Sequence, residues 1–286
     1  TGFLTIEPPT GSGPGGTILK DDWSGVTLTT PGVNGNGGTV QLKMVNLDGD
    51  AAGTKELLRL NTLGQLEIFT STDGANFVLE KTLTGPSGTT SFDVIEADGK
   101  GGARGAIDIV LAGSSDITIF YGDDLPIAAD QSAPSLSNWG TASSTFTIPD
   151  AGYSIKKLVA GPLSGSGYDS IMYYAEDASG NTIRKVLYMT EAAATQRDLS
   201  GLTPTDVKLS DETGELLSTW SIYETGELLS IELVDISGDG APDILLAYED
   251  GTVKTILSTI TTRTDLSGLA DGTTGIIEEL ASDLNP

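Results

Sequence analysis

Asp235-Ile236-Ser237-Gly238-Asp239-Gly240-Ala241-Pro242-Asp243 is the stretch on which the reading of the fold turns. Oxygen-bearing side chains stand at its first, third, fifth and ninth positions, with glycine at the sixth. In a tight loop alternate residues point inwards together, and glycine accepts the positive φ that wraps a chain round an ion. Ala241, at the seventh position, offers a backbone carbonyl. Calcium takes about six to eight hard oxygen ligands, and Asp235, Ser237, Asp239, Ala241 and Asp243 supply most of such a set. The opening matches an EF-hand loop, but no Glu stands at the twelfth position, and strand-like segments flank it instead of helices. The competing reading is a tight turn whose Asp side chains cap backbone amides.

Working outward, residues 229–234 precede this loop, and the apolar run 244–248, a turn at 249–251 and a further run at 253–257 follow it. The same order of alternating strand, Gly/Asp-rich loop, apolar strand, turn and strand occurs three times earlier. The first unit reads 40–45, Asn46-Leu47-Asp48-Gly49-Asp50, 57–60, a turn ending at Gly64, and 65–70. The second reads 92–95, Glu96-Ala97-Asp98-Gly99, 107–111, a turn at 113–115, and 117–121. The third reads 155–160, Pro162-Leu163-Ser164-Gly165-Ser166-Gly167, 171–175, a turn at 177–181, and 183–189. With Asp48, Asp98, Ser164 and Ser237 as anchors the spacings are 50, 66 and 73, natural for four-stranded sheets with variable outer connections. Arg197-Asp198-Leu199-Ser200-Gly201-Leu202 recurs as Thr264-Asp265-Leu266-Ser267-Gly268-Leu269, an echo that supports the repeat. Helix is scarce; residues 275–284 are the best helix candidate, or else a last outer strand and a tail.

The other loops depart from the fourth in instructive ways. In the first, Asn46, Asp48 and Asp50 keep the leading positions, residues 51–55 lengthen the loop, and Glu56 takes the place of the terminal Asp. In the second, Glu96 and Asp98 fit and Asp108 closes the loop, but Lys100 falls where an acid belongs and Arg104 follows. A resident cation can replace an ion by pairing with the acids. In the third, Pro162, Ser164, Ser166 and Ser170 occupy the ligand places, with Asp169 the neighbouring carboxylate. Neutral oxygens bind calcium poorly, so that loop is expected to be metal-free.

Residues 234–246 resemble the FG-GAP/VCBS repeat, whose pattern D-x-[DNS]-x-D-G-x-x-D leads into an apolar strand and a DG turn. Taken over all four units the resemblance spans roughly 39–257. It implies an all-β fold, a small β-propeller of four or five blades of the integrin-α type, with calcium in the loop between a blade's first two strands. It also implies a secreted adhesion or carbohydrate-binding protein. The rival architecture is an array of β-sheet repeats that stack without closing. The expected organisation is an extended arm or linker over 1–38, with one or two strands in 17–30, and a repeat domain over 39–286. The units run about 39–85, 90–125, 151–210 and 228–286; the unassigned segments 1–38, 124–149 and 211–226 would form a degenerate fifth blade or insertions.

Composition narrows the chemistry. The 286 residues contain neither His nor Cys, which excludes a Ser-His-Asp triad, thiol chemistry, disulfides and His or Cys metal sites. Fifteen basic against 40 acidic residues leave a net charge of −25, a poor match for nucleic acid. No apolar run approaches the roughly 20 residues of a membrane span. The chain starts at Thr1 without an initiator Met, as after removal of a leader or as a processed or trimmed product. These features lead us to expect a non-enzymatic, calcium-stabilised structural or adhesion protein, extracellular or surface-associated, such as a subunit of a virion or surface filament. Its partners would be other protein subunits, in a homo-oligomer among other forms, or cell-surface glycans. The alternative is a lectin-like binder, for which Trp139 in Ser137-Asn138-Trp139-Gly140 is the candidate sugar-stacking residue.

Overall fold

In the computed structural model the residues described are 5–6, 21–22, 27–29, 38–47, 55–71, 76–99, 107–122, 143–163, 168–210, 227–235, 242–249, 252–258 and 274–279. Thr5–Ile6 (β1) and Asp21–Asp22 (β2) form a short antiparallel pair. Thr27–Thr29 (β3) joins the first sheet, made otherwise of Thr39–Val45 (β4), Glu56–Asn61 (β5), Gln65–Ser71 (β6) and Asn76–Thr84 (β7) in the order β3-β7-β6-β5-β4. The second sheet is a meander of Ser91–Ile95 (β8), Asp108–Ala112 (β9), Asp116–Phe120 (β10) and Ser143–Thr147 (β11). The third contains Tyr153–Gly161 (β12), Ser170–Asp177 (β13), Thr182–Leu187 (β14) and, after the helix Glu191–Gln196 (α1), Thr205–Asp206 (β15). Lys208–Ser210 (β16) crosses to the fourth sheet, formed by Leu228–Val234 (β17), Asp243–Tyr248 (β18), Val253–Ser258 (β19) and Thr274–Glu279 (β20). β3 and β16 lie parallel to β7 and β20, and every other pairing is antiparallel. The protein is all-β apart from one short helix among the described residues, and its four large sheets are open.

The most continuous apolar runs are the second strands, which bury both faces. Along β9, Ile109 and Leu111 pack with Leu58, Leu60 and Ile68 of the first sheet. Val110 and Ala112 point the other way, into a core shared with Ile155, Ile171 and Tyr173 of the third sheet. β13 repeats this arrangement: Ile171, Tyr173 and Ala175 face the second sheet, and Met172 and Tyr174 face Ile244, Leu246 and Tyr248 of the fourth. A period of two over a run with two buried faces gives no polar alternation. Each fully buried Ile or Leu here contributes about 1.5–3 kcal/mol.

Successive first strands sit side by side without a shared ladder, joined by side chains. The Gln41 amide mimics a strand: its Nε2 donates to the Phe92 carbonyl (2.9 Å) and its Oε1 accepts the Phe92 N–H (3.1 Å). The Leu158 N–H donates to Ser91 Oγ (3.2 Å), and the Ala160 N–H to Asp93 Oδ2 (2.9 Å). At Gly161 the fourth sheet comes so near that a Cβ would lie 2.7 Å from Leu233 Cδ1.

Of the two readings of residues 275–284, the strand holds and the helix does not: β20 occupies Thr274–Glu279, and strand partners on both sides, β19 and β16, override a 3.6-residue pattern. The one helix among the described residues, α1, lies elsewhere. Thr190 caps it by accepting the Ala193 N–H (3.2 Å), and Arg197 ends it in the left-handed conformation at φ 52°. Within 124–149, Ser143–Thr147 completes the second sheet instead of contributing to a fifth blade. The part of 211–226 assigned to a fifth blade lies outside the described residues.

Candidate functional site

The four Gly/Asp-rich loops leave from one register position. Val45, Ile95, Gly161 and Val234 end the first strands and pair with Glu56, Asp108, Ser170 and Asp243, which open the second strands. All four opening residues are buried, Ser170 and Asp243 completely. The loops expected to bind calcium therefore close on a residue beneath the surface, where a carboxylate needs hydrogen-bond donors. Glu56 Oε2 accepts the Leu47 N–H (2.7 Å). Asp108 Oδ2 accepts the Ala97 N–H (3.1 Å) and its Oδ1 the Gly122 N–H (2.8 Å). In the third loop, where serine replaces the acid, the corresponding Leu163 N–H turns to the Gly161 carbonyl (2.8 Å). Leu47, Ala97 and Leu163 are themselves buried, which pins each loop at its second position.

The second loop gathers three of the predicted ligands. Oxygens of Glu96, Asp98 and Asp108 lie within 4.8 Å of one another. Burial first, and then the charges of Asp98 and Glu96, push the Asp108 carboxyl up to about 7 against its two amide donors. The sequence reading missed the cation on this cluster. Arg197, from the end of α1, reaches Asp98 Oδ2 through Nη2 (2.9 Å) and Nε (3.2 Å). Its guanidinium lies 4.4 Å from the centroid of the Tyr121 ring, whose hydroxyl bonds Ser144 Oγ (2.6 Å). Asp169 ties the loop to the third sheet: its Oδ2 accepts the Glu96 N–H (2.8 Å), and its own N–H donates to the Glu96 carbonyl (2.9 Å). Burial raises the Asp169 carboxyl as well. Gly99, at φ +72°, packs where a Cβ would strike Tyr168 at 2.8 Å.

The donor set of this loop suits a hard divalent cation in charge and in ligand type. Three carboxylates and one guanidinium leave a formal −2 when all are ionised. In the fourth loop Asp235 is exposed just after β17 and Asp243 is buried at the start of β18; Ser237, Asp239 and Ala241 lie outside the described residues. In the first loop Asn46 follows β4 and Glu56 opens β5, while Asp48 and Asp50 lie outside the described residues. Lys100, Arg104 and Trp139 also fall outside them.

A second concavity opens where the first strands meet, with a volume of about 380 Å³. Its lining comes from the same level of all four strands: Lys43, Asp93 and Glu232 stand two residues before the strand ends, and Gln41, Ser91, Lys157 and Ser230 four residues before them. Lys43 forms an ion pair with Asp93. β-Bulges interrupt β4, β12 and β17 just below this level, between Thr39 and Gln41, Ile155 and Lys157, and Leu228 and Ser230.

No family model matches the chain, and no curated protein matches it. Among solved structures, the chain is similar to the crystal structure of BBS1N in complex with ARL6DN, soaked with lead. The identity is 14%, the match covers 76% of this chain and 77% of that chain, and the TM-score is 0.34.

Proposed function

We propose that the four sheets are the blades of a small β-propeller of the FG-GAP/VCBS type, and that the protein is a non-enzymatic, calcium-braced structural or adhesion module of an extracellular or surface assembly. The observation that carries this reading is the common register: four first strands line one cavity, and four loops leave from the same end of those strands. The side chains run round in one direction. Gln41 and Lys43 reach β8, Ser91 and Asp93 reach β12, and Glu232 on β17 feels the Lys43 charge on β4.

In this reading Asp235, Ser237, Asp239, Ala241 and Asp243 hold calcium in the fourth loop, and Asn46, Asp48, Asp50 and Glu56 hold it in the first. Glu96, Asp98 and Asp108 share their charge with Arg197. A bound ion supplies neutralisation and cross-linking of the loop, and it stabilises the native state because the unfolded chain lacks the site. The loops then present a rigid face to a protein subunit or a glycan. The test is denaturant unfolding in chelator and in millimolar calcium, for the wild type and for Asp239→Ala. Calcium should raise the wild-type midpoint and leave that of the variant nearer its chelator value. A wild-type midpoint identical in both conditions refutes the reading.

A further inference from the structure

The cavity at the first strands has features that loop bracing does not require. Its wall carries two lysines and two acids in a chain with 15 basic residues in all. Lys43 is committed to Asp93. Among the described residues Lys157 has no ion-pair partner. Glu232 is exposed at the cavity mouth and accepts only a long bond from Ser230 Oγ (3.4 Å); partial desolvation by the wall raises its carboxyl while Lys43 pulls the other way. The cavity thus offers an ammonium and a carboxylate on neighbouring strands, β12 and β17, and its four charges sum to zero inside a −25 chain. At its rim the bulged residues Val40 and Leu229 are 45% and 51% exposed, and Leu42, Leu158 and Ile231 line it further. Bulges re-aim side chains beside functional sites. A volume of about 380 Å³ suits a small molecule; ligand pockets run from about 300 Å³ upward.

We propose that this cavity binds a small zwitterion of the amino-acid class with an apolar side chain. Glu232 takes its ammonium, Lys157 its carboxylate, and Val40 and Leu229 its side chain. Both ends of such a ligand form charge-assisted hydrogen bonds, which are the strong ones. An anion alone would leave Glu232 uncompensated, and a cation alone Lys157.

The test is calorimetric titration of the full chain with L-leucine, N-acetyl-leucinamide and glucose, each to about 20 mM, a range that detects millimolar affinity. Every titration is run in chelator and in calcium, so the outcome is separate from that of the calcium reading. Leucine should bind in both conditions, and the capped compound and glucose should not. Glu232→Gln and Lys157→Met should each weaken leucine binding by about tenfold, the worth of one charge-assisted contact. If either variant loses its cooperative unfolding transition, Leu229→Trp replaces it: residue 229 is exposed at the rim, so an indole there should block entry without disturbing the core. No leucine binding, equal binding of the capped compound, or wild-type affinity in the folded variants overturns the proposal.

Discussion

Replacing Arg197 with Met removes the guanidinium that, among the described residues, pairs with the Glu96–Asp98–Asp108 cluster, while keeping most of the side chain's length. The Asp98 side chain is 1% exposed and that of Arg197 18%, so the pair is buried on one side and half-screened on the other. Breaking a buried pair by removing one partner costs about 3–5 kcal/mol. Partial exposure of Arg197 reduces that to about 2–3 kcal/mol, and loss of the contact with Tyr121 adds about 0.5–1 kcal/mol. We expect Arg197→Met to be destabilised by about 3 kcal/mol in chelator at pH 7.5, a large part of the roughly 5–15 kcal/mol of a typical domain. Arg197→Lys, which keeps the charge but not the two-pronged donor, should lose less than half of that. Calcium should then act on the variant more strongly than on the wild type, because three carboxylates face it without a resident cation. At a hundredfold excess over Kd a bound ion restores about 2.7 kcal/mol. The assay is urea unfolding of the three proteins with and without calcium. If Arg197→Met unfolds within about 0.5 kcal/mol of wild type in chelator, the scale of an ordinary surface substitution, the guanidinium does not neutralise the cluster. If the variant is destabilised but calcium rescues it no more than wild type, the loop cannot accept a divalent ion.

Other perturbations probe the remaining parts. Asp108 is held up to about 7, so between about pH 4 and 7 the folded state binds a proton the unfolded state has lost, and its stability contribution falls as pH rises. The difference in unfolding free energy between Asp108→Asn and wild type should therefore move in favour of the variant across that window, measured in chelator. Gln41→Ala deprives the Phe92 N–H and carbonyl of their partners and should cost about 2 kcal/mol, read from denaturant midpoints. At Gly113 a Cβ would meet the Ser87 carbonyl oxygen at 2.6 Å and Pro86 at 3.0 Å. Backbone yields less readily than a side-chain end, so Gly113→Ala should cost about 1–3 kcal/mol, whereas Gly161→Ala, which meets the flexible tip of Leu233, should cost less.

The second strands were legible because burial on both faces writes itself as a largely apolar run: 57–60, 171–175 and 244–248 lie inside β5, β13 and β18, and 107–111 begins one residue before β9. The outer strands were not. β11 reads Ser-Ser-Thr-Phe-Thr, β15 is Thr-Asp and β16 Lys-Leu-Ser, short pieces that join by backbone pairing and carry little hydrophobic pattern. In the site, Glu96, Asp98 and Asp108 followed from loop spacing alone. Arg197 stands 99 residues from Asp98, and only the packing of α1 against the second sheet brings them together. Lys100 was the cation that chain proximity suggested. The echo beginning at Arg197 was visible as a motif, but an echo does not say where its first side chain points. The cavity was equally hidden, since its lining comes from four short segments that become neighbours only when the registers align.

The closing acid of each loop carries two meanings, and the third loop separates them. Glu56 and Asp108 accept the N–H of the loop's second residue. Ser170 does not, and there the Leu163 N–H bonds to Gly161 instead. The three second residues are buried whichever partner is used, so the amide must be satisfied with or without an ion. A buried acid at the start of a second strand is therefore accounted for by amide capping, and it is weak support for a metal. The same reasoning applies to Asp243, wholly buried at the corresponding position. The calcium reading of the fourth loop thus rests on Asp235, Ser237 and Asp239 more than on the residue that completes its motif. Asp243→Asn should be destabilised already in chelator and gain less from calcium as well, whereas Asp239→Ala should matter only when calcium is present. If Asp243→Asn unfolds like wild type in chelator, the capping role drawn from the third loop fails.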